Sequence, residues 1–358
     1  MSKFYPLTVA HVKQETRDTI TVTFDVPPAL AASFIYQQGQ HLTLRAQIGD
    51  EDVRRSYSIC AAVQDNALRV AIKRTTGGLF SCWANENLKP GMTLDVMPPM
   101  GHFNVPLSAD SARHYLAFAA GSGITPILSI IKTTLLAEPN SSFTLFYGNR
   151  ASSSVIFKDE LSDLKDSYTQ RLTLAYVMSR EQQDLDLFNG RITKEKCAQF
   201  LQHWVRVEDV DVAFICGPED MMHGVSEALQ EAGMAKSQIK VELFAASIPK
   251  HQHKPRVFDA AARHETEVTV IMDGNHTSFT MDKDKESILD AGLRAGIDMR
   301  YSCKGGVCST CRCKLLDGKV DMDANYALED YEIARGFVLS CQSFPVTDKV
   351  VIDFDQAE

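Results

Sequence analysis

HYLAFAAGSGITPILSIIKTTLLAE, residues 114–138, decides the fold class. A mostly apolar run ends in Gly121-Ser122-Gly123, and from Ile124 the apolar spacing changes from strand-like to helical. This reads as a strand, a glycine turn and a helix, with Pro126 in the first helical turn, where a missing N–H costs little. Such a turn aims backbone N–H groups from a helix N-terminus, which suits a phosphate. The spacing is not G-x-G-x-x-G, so on these residues alone a plain strand-turn-helix connection is an equal reading. The apolar stretch Leu116 to Ile131 is broken by Gly121, Ser122, Gly123 and Pro126. It falls short of the roughly 18 uninterrupted apolar residues of a membrane-spanning helix.

Further on, SFTLFYGN (142–149), LTLAYVM (172–178) and DVAFICG (211–217) alternate with helical patterns such as PEDMMHGVSEALQEAG (218–233). The alternation predicts a parallel-sheet α/β domain over 107–245. Upstream, TITVTFDV, QHLTLRAQI, RRSYSIC, LRVAIKR and MTLDVMP are short strand patterns separated by Pro, Gly and Asp turns. They predict an antiparallel β-barrel over 1–106. Residues 246–266 form a polar stretch of basic, His and Pro residues and read as a linker. From 267 the hairpin pattern EVTVIMDG–TSFTMD and the helical pattern ESILDAGLRAG open a third, small domain over 267–358. A chain of 358 residues accommodates three domains of ordinary size.

Residues 267–358 hold 17 acids and 10 bases, so this segment carries −7 of the chain's net −9. An acidic face of that kind disfavours nucleic acid and favours a basic protein partner. The N-terminal MSKFYPLTVAHVKQE lacks the apolar region and cleavage site of a secretory signal, so a cytoplasmic location is expected.

Nine cysteines is an odd number, and four crowd between Cys303 and Cys313, unlike a spread disulfide framework. Cys303, Cys308, Cys311 and the distant Cys341 have the C-x4-C-x2-C…C spacing of a plant-type [2Fe-2S] ligand set. With nine cysteines in 358 residues, that triple spacing arises by chance in roughly half a percent of cases. A structural zinc site, whose ligands usually come as two close pairs, is the competing reading. Gly305 and Gly306 would let the loop turn sharply and bring N–H groups to the sulfur atoms. Cys313, Cys60, Cys82 and Cys197 fall outside the spacing and read as small buried residues.

Arg55-Ser56-Tyr57-Ser58 ends a barrel strand, and KRTTGGLFS (73–81) follows about twenty residues later. Together they offer what a flavin needs, namely a cation, backbone N–H groups for its pyrophosphate, and an aromatic and a hydroxyl at its ring. Taken singly, Arg55 reads equally as a surface ion-pair residue and Tyr57 as a packed aromatic.

The order R-S-Y-S, G-G-L-F-S, G-S-G-I-T-P, Y-G-N-R, C-G-P-E-D-M-M resembles the ferredoxin-NADP reductase superfamily, and the cysteine pattern resembles its fused plant-type ferredoxin domains. With the ferredoxin at the C-terminus, the chain is similar to phthalate dioxygenase reductases and, more closely, to the reductase subunits of phenylacetyl-CoA epoxidases. Benzoate dioxygenase and methane monooxygenase reductases place the ferredoxin first. The resemblance implies an FAD barrel, a nucleotide domain and a ferredoxin domain, with Arg55, Tyr57 and Ser58 on the flavin and Ser58 near its reactive N5. It implies that Gly77, Gly78 and Ser81 face the flavin phosphates and that Gly121, Gly123, Thr125 and Pro126 hold the nicotinamide nucleotide. Cys216, opening Cys216-Gly217-Pro218, would lie beside the nicotinamide, and Glu242 and Phe244 match the family's acid and flavin-facing aromatic. Ser58, Cys216 and Glu242 are thereby the expected catalytic residues. Arg150, Ser179 and Arg180 stand where NADP-specific relatives carry a cation and a hydroxyl, so NADPH is expected over NADH. Through the GGLFS segment the resemblance also implies FAD over FMN.

The expected activity is electron transfer from NADPH through FAD and the [2Fe-2S] cluster to an oxygenase, the diiron phenylacetyl-CoA epoxidase of phenylacetate catabolism. The alternatives are a reductase for a Rieske ring-hydroxylating oxygenase or another acceptor and, in a different class, a redox sensor or passive carrier.

Overall fold

Strand patterns with one buried and one exposed face close on themselves, whereas strands apolar on both faces need cover on both sides. Both kinds occur here. The structure is a computed structural model that describes residues 4–244 and 264–356. The described chain falls into two compact units, one holding nearly all of residues 5–244 and the other chiefly residues 264–356.

In the first unit, β1 (Tyr5–Thr16), β2 (Thr19–Asp25), β3 (His41–Ile48), β4 (Glu51–Ser58) and β5 (Leu68–Lys73) are followed by helix α1 (Leu79–Asn87) and β6 (Thr93–Val96). They form a six-stranded sheet in the order β4-β3-β6-β1-β2-β5. An antiparallel bridge between Ile59, just past β4, and Val70 of β5 brings the two edge strands together and closes the barrel. Leu7, Val9, Ile20, Val22, Leu42, Leu44, Val70 and Ile72 fill it.

The chain continues through β7 (His114–Ala120), α2 (Ile124–Ala137), β8 (Ser142–Asn149), α3 (Lys158–Ser167), β9 (Leu172–Met178), α4 (Lys194–His203), β10 (Val212–Gly217), α5 (Glu219–Glu231) and β11 (Ile239–Leu243). The strands form a parallel sheet in the order β11-β10-β7-β8-β9. Tyr115–Ala119, Phe143–Tyr147 and Ala213–Cys216 are buried throughout, as strands covered on both faces must be. Helix α2 is buried almost all round, because the sheet covers one side and barrel residues the other. Cys60, Ala71 and Phe103 from before β7 share one apolar core with α2 and the sheet.

The second unit holds β12 (Glu265–Met272), β13 (Asn275–Asp282), α6 (Ile288–Arg294), β14 (Arg312–Asp317), β15 (Val320–Met322), α7 (Asp330–Ala334), β16 (Phe337–Leu339), β17 (Ser343–Pro345) and β18 (Lys349–Asp353). A mixed sheet runs β13-β12-β18-β14-β16, with β15 and β17 paired beside it. The expected hairpin turns at Asp273-Gly274, both with positive φ, and Asp355 accepts both N–H groups of the turn. The expected third-domain strand starts at Glu265, two residues early. The rest of the expected linker, 246–263, lies outside the described residues.

Candidate cofactor sites

Parallel pairing aligns the carboxyl ends of neighbouring strands, which is where open α/β sheets hold their ligands. Cys216 on β10 is in register with Ala119 of β7 on one side and Glu242 of β11 on the other. The turn after β7 therefore lies against Cys216. A Cβ added at Gly123 would stand 2.0 Å from the Cys216 carbonyl oxygen, so only glycine allows this approach. Gly121 takes φ +54, and the Tyr147 hydroxyl donates to its carbonyl at 2.9 Å. Thr125 Oγ1 donates to the Ser122 carbonyl at 3.0 Å, and Pro126 occupies the first turn of α2. At this turn the Ile124 N–H bonds back to the Gly121 and Ser122 carbonyls, and Pro126 carries no N–H.

The barrel meets this place through Ser58. Its hydroxyl is buried and donates to Glu242 Oε2 at 3.2 Å, although 184 residues separate the two. Ser58, Glu242, Cys216 and Gly123, far apart along the chain, are thus brought into contact with one another in a single chain of neighbours. Burial first, then the Glu242 carboxylate, pushes the Cys216 thiol well above its ordinary range, so it is neutral at physiological pH. Gly217 and Pro218 follow directly, and Pro218 precedes the first residue of α5. Phe244, just past β11, packs half-buried against the core of the nucleotide half.

The other residues expected at the flavin lie along β4 and at the start of α1. Tyr57 is half-buried, its ring 5.7 Å from that of Phe80. Arg55 is exposed, and its guanidinium donates to the Arg54 carbonyl at 2.7 Å. Gly77 has φ +74, and Ser81 Oγ accepts the Thr75 N–H at 3.1 Å while donating to the Gly78 carbonyl at 3.3 Å. A Cβ at Gly78 would meet that Oγ at 2.6 Å, so the residue is kept small by its own loop. This tight loop at the start of α1 has the backbone-donor character a pyrophosphate requires.

Arg150, Ser179 and Arg180 are exposed at adjacent strand ends. Ser179 N–H donates to the Asn149 carbonyl at 2.9 Å and Arg180 N–H to that of Arg150 at 2.8 Å, which continues the β8–β9 pairing. The next residue, Glu181, is turned onto Ser152, accepting its N–H at 2.7 Å and its hydroxyl at 2.7 and 2.8 Å. The sequence reading passed over Tyr147 and Lys73. Lys73 Nζ is the nearest heavy atom, at 3.8 Å, to where a Gly121 side chain would begin. The signal for Lys73 was its place in KRTTGGLFS; Tyr147 had none beyond being aromatic in a strand.

In the second unit, Cys303, Cys308 and Cys311 lie on the loop before β14, and Cys341 follows β16. No three of the described His, Cys, Asp or Glu side chains converge on a single metal position. The strongest electrostatic influence on the Cys303 thiol is its neighbour Cys308, and on the Cys311 thiol its neighbour Cys341. Four cysteines at this C-x4-C-x2-C…C spacing fit the ligand set of a plant-type [2Fe-2S] cluster. Gly305 N–H donates to Cys303 Sγ at 3.3 Å, and Cys303 N–H to Cys308 Sγ at 3.5 Å. Gln342 Nε2 donates to the Lys304 carbonyl at 2.9 Å, and Ser340 Oγ to that of Cys311 at 3.2 Å, which ties the Cys341 segment to the loop. The sharp turns come from Gly306 and, unexpectedly, from Lys304 and Ser309, all with positive φ; Gly305 contributes its N–H instead. Cys313 is buried in β14 opposite Val338, and Cys60 and Cys197 are buried thiols pushed up to about 12 by desolvation, whereas Cys82 in α1 is only partly buried.

These features define an oxidoreductase with a flavin barrel, a nicotinamide-nucleotide domain and an iron-sulfur domain. Family models agree: an oxidoreductase FAD-binding domain matches residues 6–105, an oxidoreductase NAD-binding domain 118–227, and a 2Fe-2S iron-sulfur cluster binding domain 270–346. The chain is 48% identical over 355 residues to a subunit of the 1,2-phenylacetyl-CoA epoxidase of Escherichia coli (strain K12), with 99% of each covered. It is 37% identical over 353 residues to the ferredoxin reductase component of 3-ketosteroid-9-alpha-monooxygenase from Rhodococcus rhodochrous, covering 97% of this chain and 96% of the relative. The chain belongs to this family of oxygenase reductase components, in which a ferredoxin-NADP reductase-like module is joined to a C-terminal [2Fe-2S] domain.

Among solved structures, the fold is shared with phthalate dioxygenase reductase at TM-score 0.59 and 23% identity, over 98% of both chains. An intact type IV self-sufficient cytochrome P450 monooxygenase matches at TM-score 0.67 and 22% identity, and this chain spans 41% of its length. No helix among the described residues is long and apolar enough to cross a membrane.

Proposed function

We propose that the chain passes electrons from NADPH through FAD and a [2Fe-2S] cluster to the oxygenase component of phenylacetyl-CoA epoxidase, a diiron protein, in the cytoplasm. The observation that carries the reading is the contiguity of Ser58, Glu242, Cys216 and the Gly121–Gly123 turn. That arrangement joins the expected flavin strand to the expected nicotinamide turn. Bound flavin would supply the conversion of a two-electron donor into single-electron transfers, which the iron-sulfur cluster would relay.

The chain's own residues would prepare that transfer. Glu242 accepts the hydrogen bond of the Ser58 hydroxyl and so fixes the direction in which that hydroxyl would face bound flavin. Neutral Cys216 offers a small, polarizable wall that keeps water from the nicotinamide. Tyr57 and Phe244 would face the flavin, with Arg55 and the Gly77–Ser81 loop on its pyrophosphate. Gly121, Gly123, Thr125 and Pro126 would cradle the nicotinamide nucleotide's phosphates. Arg150, Ser179 and Arg180 would form a fork for the 2′-phosphate, which favours NADPH. Cys303, Cys308, Cys311 and Cys341 would ligate the irons.

The 48% relative supports the epoxidase as acceptor, and the 37% relative supports a steroid monooxygenase system as a second reading. The test is an anaerobic absorbance titration with NADPH and then NADH, alongside iron and sulfide content. Bleaching of flavin and iron-sulfur bands at much lower NADPH than NADH is the expected result. A colourless protein that takes up zinc, or flavin without iron, overturns the reading.

A further inference from the structure

The nicotinamide turn is the N-terminus of α2, and the middle of that helix holds a polar face, Ser129, Lys132 and Thr133, with the i, i+3, i+4 spacing that puts side chains together. All three reach residues 61–65, the segment that runs on from Ser58, or their close neighbours. Ser129 Oγ donates to the Ala61 carbonyl at 2.7 Å, and Thr133 Oγ1 accepts the Val63 N–H at 3.2 Å. Lys132 Nζ bridges Asp65 at 2.6 Å and Glu160 of α3 at 2.8 Å. Arg69 of β5 donates to both Glu160 oxygens at 2.9 Å and to the Cys60 carbonyl at 2.9 Å.

These contacts complete a closed circuit. It runs from Ser58 along the chain to Ala61, across to Ser129, back along α2 to Gly123, across to Cys216, over one strand to Glu242, and by hydrogen bond to Ser58. Apolar packing resists separation of two surfaces but is non-directional, whereas hydrogen bonds set register. Ser129 and Thr133 are buried, so the hydrogen bonds of their hydroxyls to residues 61–63 hold only while the register holds.

We propose that this seam positions the two cofactor sites relative to each other, with Lys132 and Thr133 as positioning residues that set the alignment for nicotinamide-to-flavin transfer without touching either reactant. The inference rests on the reductase reading above. Its test uses the purified holoprotein with Thr133→Val, which removes the acceptor of the Val63 N–H, and Lys132→Met, with Lys132→Arg as the conservative replacement.

The first readout is amide hydrogen exchange. Exchange over 61–65 and over the 121–126 turn rises together, by about tenfold for loss of one net hydrogen bond in a cooperative seam. The second is the rate of anaerobic flavin bleaching at saturating NADPH, measured with NADPH and with NADPH deuterated at the transferred C4 position. The rate falls about tenfold, in the isotope-sensitive step, since sub-ångström misalignment is felt there first. Flavin content and NADP⁺ affinity stay at wild-type values, and Lys132→Arg recovers most of the loss.

Unchanged exchange over 61–65 overturns the proposal, as does faster exchange with an unchanged rate, or a loss that lies wholly in nucleotide affinity. If Lys132→Met folds poorly, Thr133→Val decides by the same criteria. Failure of the wild-type protein to bleach with NADPH instead overturns the reductase reading, so the two failures are distinct.

Discussion

Gly123→Ala is the sharpest single perturbation of the nucleotide turn. The added Cβ would lie 2.0 Å from the Cys216 carbonyl oxygen, 2.5 Å from its carbon and 3.0 Å from Gly217 N, all of them backbone atoms that cannot rotate away. Restoring an ordinary contact of about 3.4 Å to that oxygen requires the turn and β10 to part by about 1.4 Å. A misplacement of about 1 Å costs on the order of 10²-fold in rate, or about 2.7 kcal/mol. Gly121→Ala is the control. Its Cβ would find only Lys73 Nζ at 3.8 Å, so the cost is that of φ +54 for an alanine, about 1–2 kcal/mol of local strain. The assay is NADPH–ferricyanide kcat/KM, with thermal unfolding to confirm that both variants are folded. Gly123→Ala should lose about a hundredfold and Gly121→Ala several-fold. A Gly123→Ala enzyme within threefold of wild type, or a Gly121→Ala enzyme worse than it, refutes the reasoning.

Cys308→Ser should keep NADPH–ferricyanide activity while abolishing transfer to the oxygenase, and retained transfer would mean the cluster is not on the path. Arg180→Glu should raise the KM for NADPH by about tenfold or more, the worth of one charge-assisted bond, with little change for NADH; an equal change for both nucleotides would remove the arginine from the 2′-phosphate. Burial, with His102 adding to it, lowers His41 to about 4 from an ordinary 6.5, so the unfolded chain takes up this proton first. Its contribution is whole above pH 6.5 and lost as pH falls to about 4, a difference of about 3 kcal/mol by linkage. Denaturant unfolding of wild type and His41→Gln across that window should show the slope only in wild type, and parallel profiles would refute it.

Much of the molecule was legible in one dimension because its signals are local. Period-two runs named the barrel strands, doubly apolar runs named the parallel sheet, and a ligand loop must keep its cysteines a fixed few residues apart. Cys303, Cys308 and Cys311 could therefore be read without a fold. The left-handed Lys304 and Ser309 were hidden, since glycine is the usual signal of such turns and neither is glycine.

What only the tertiary structure decided is which distant residues meet. Ser58 and Glu242 are joined by barrel closure on one side and by the register of β11 on the other. Gly123 appeared as one of two turn glycines until β10 pairing set Cys216 against it. Ser129, Lys132 and Thr133 carry no signal along the chain, and only the fold sets them against Ala61, Asp65 and Val63. Spacing and periodicity are set by covalent neighbours and so are written along the chain. Contacts across hundreds of residues are set by strand register and packing, which exist only once the sheet has formed.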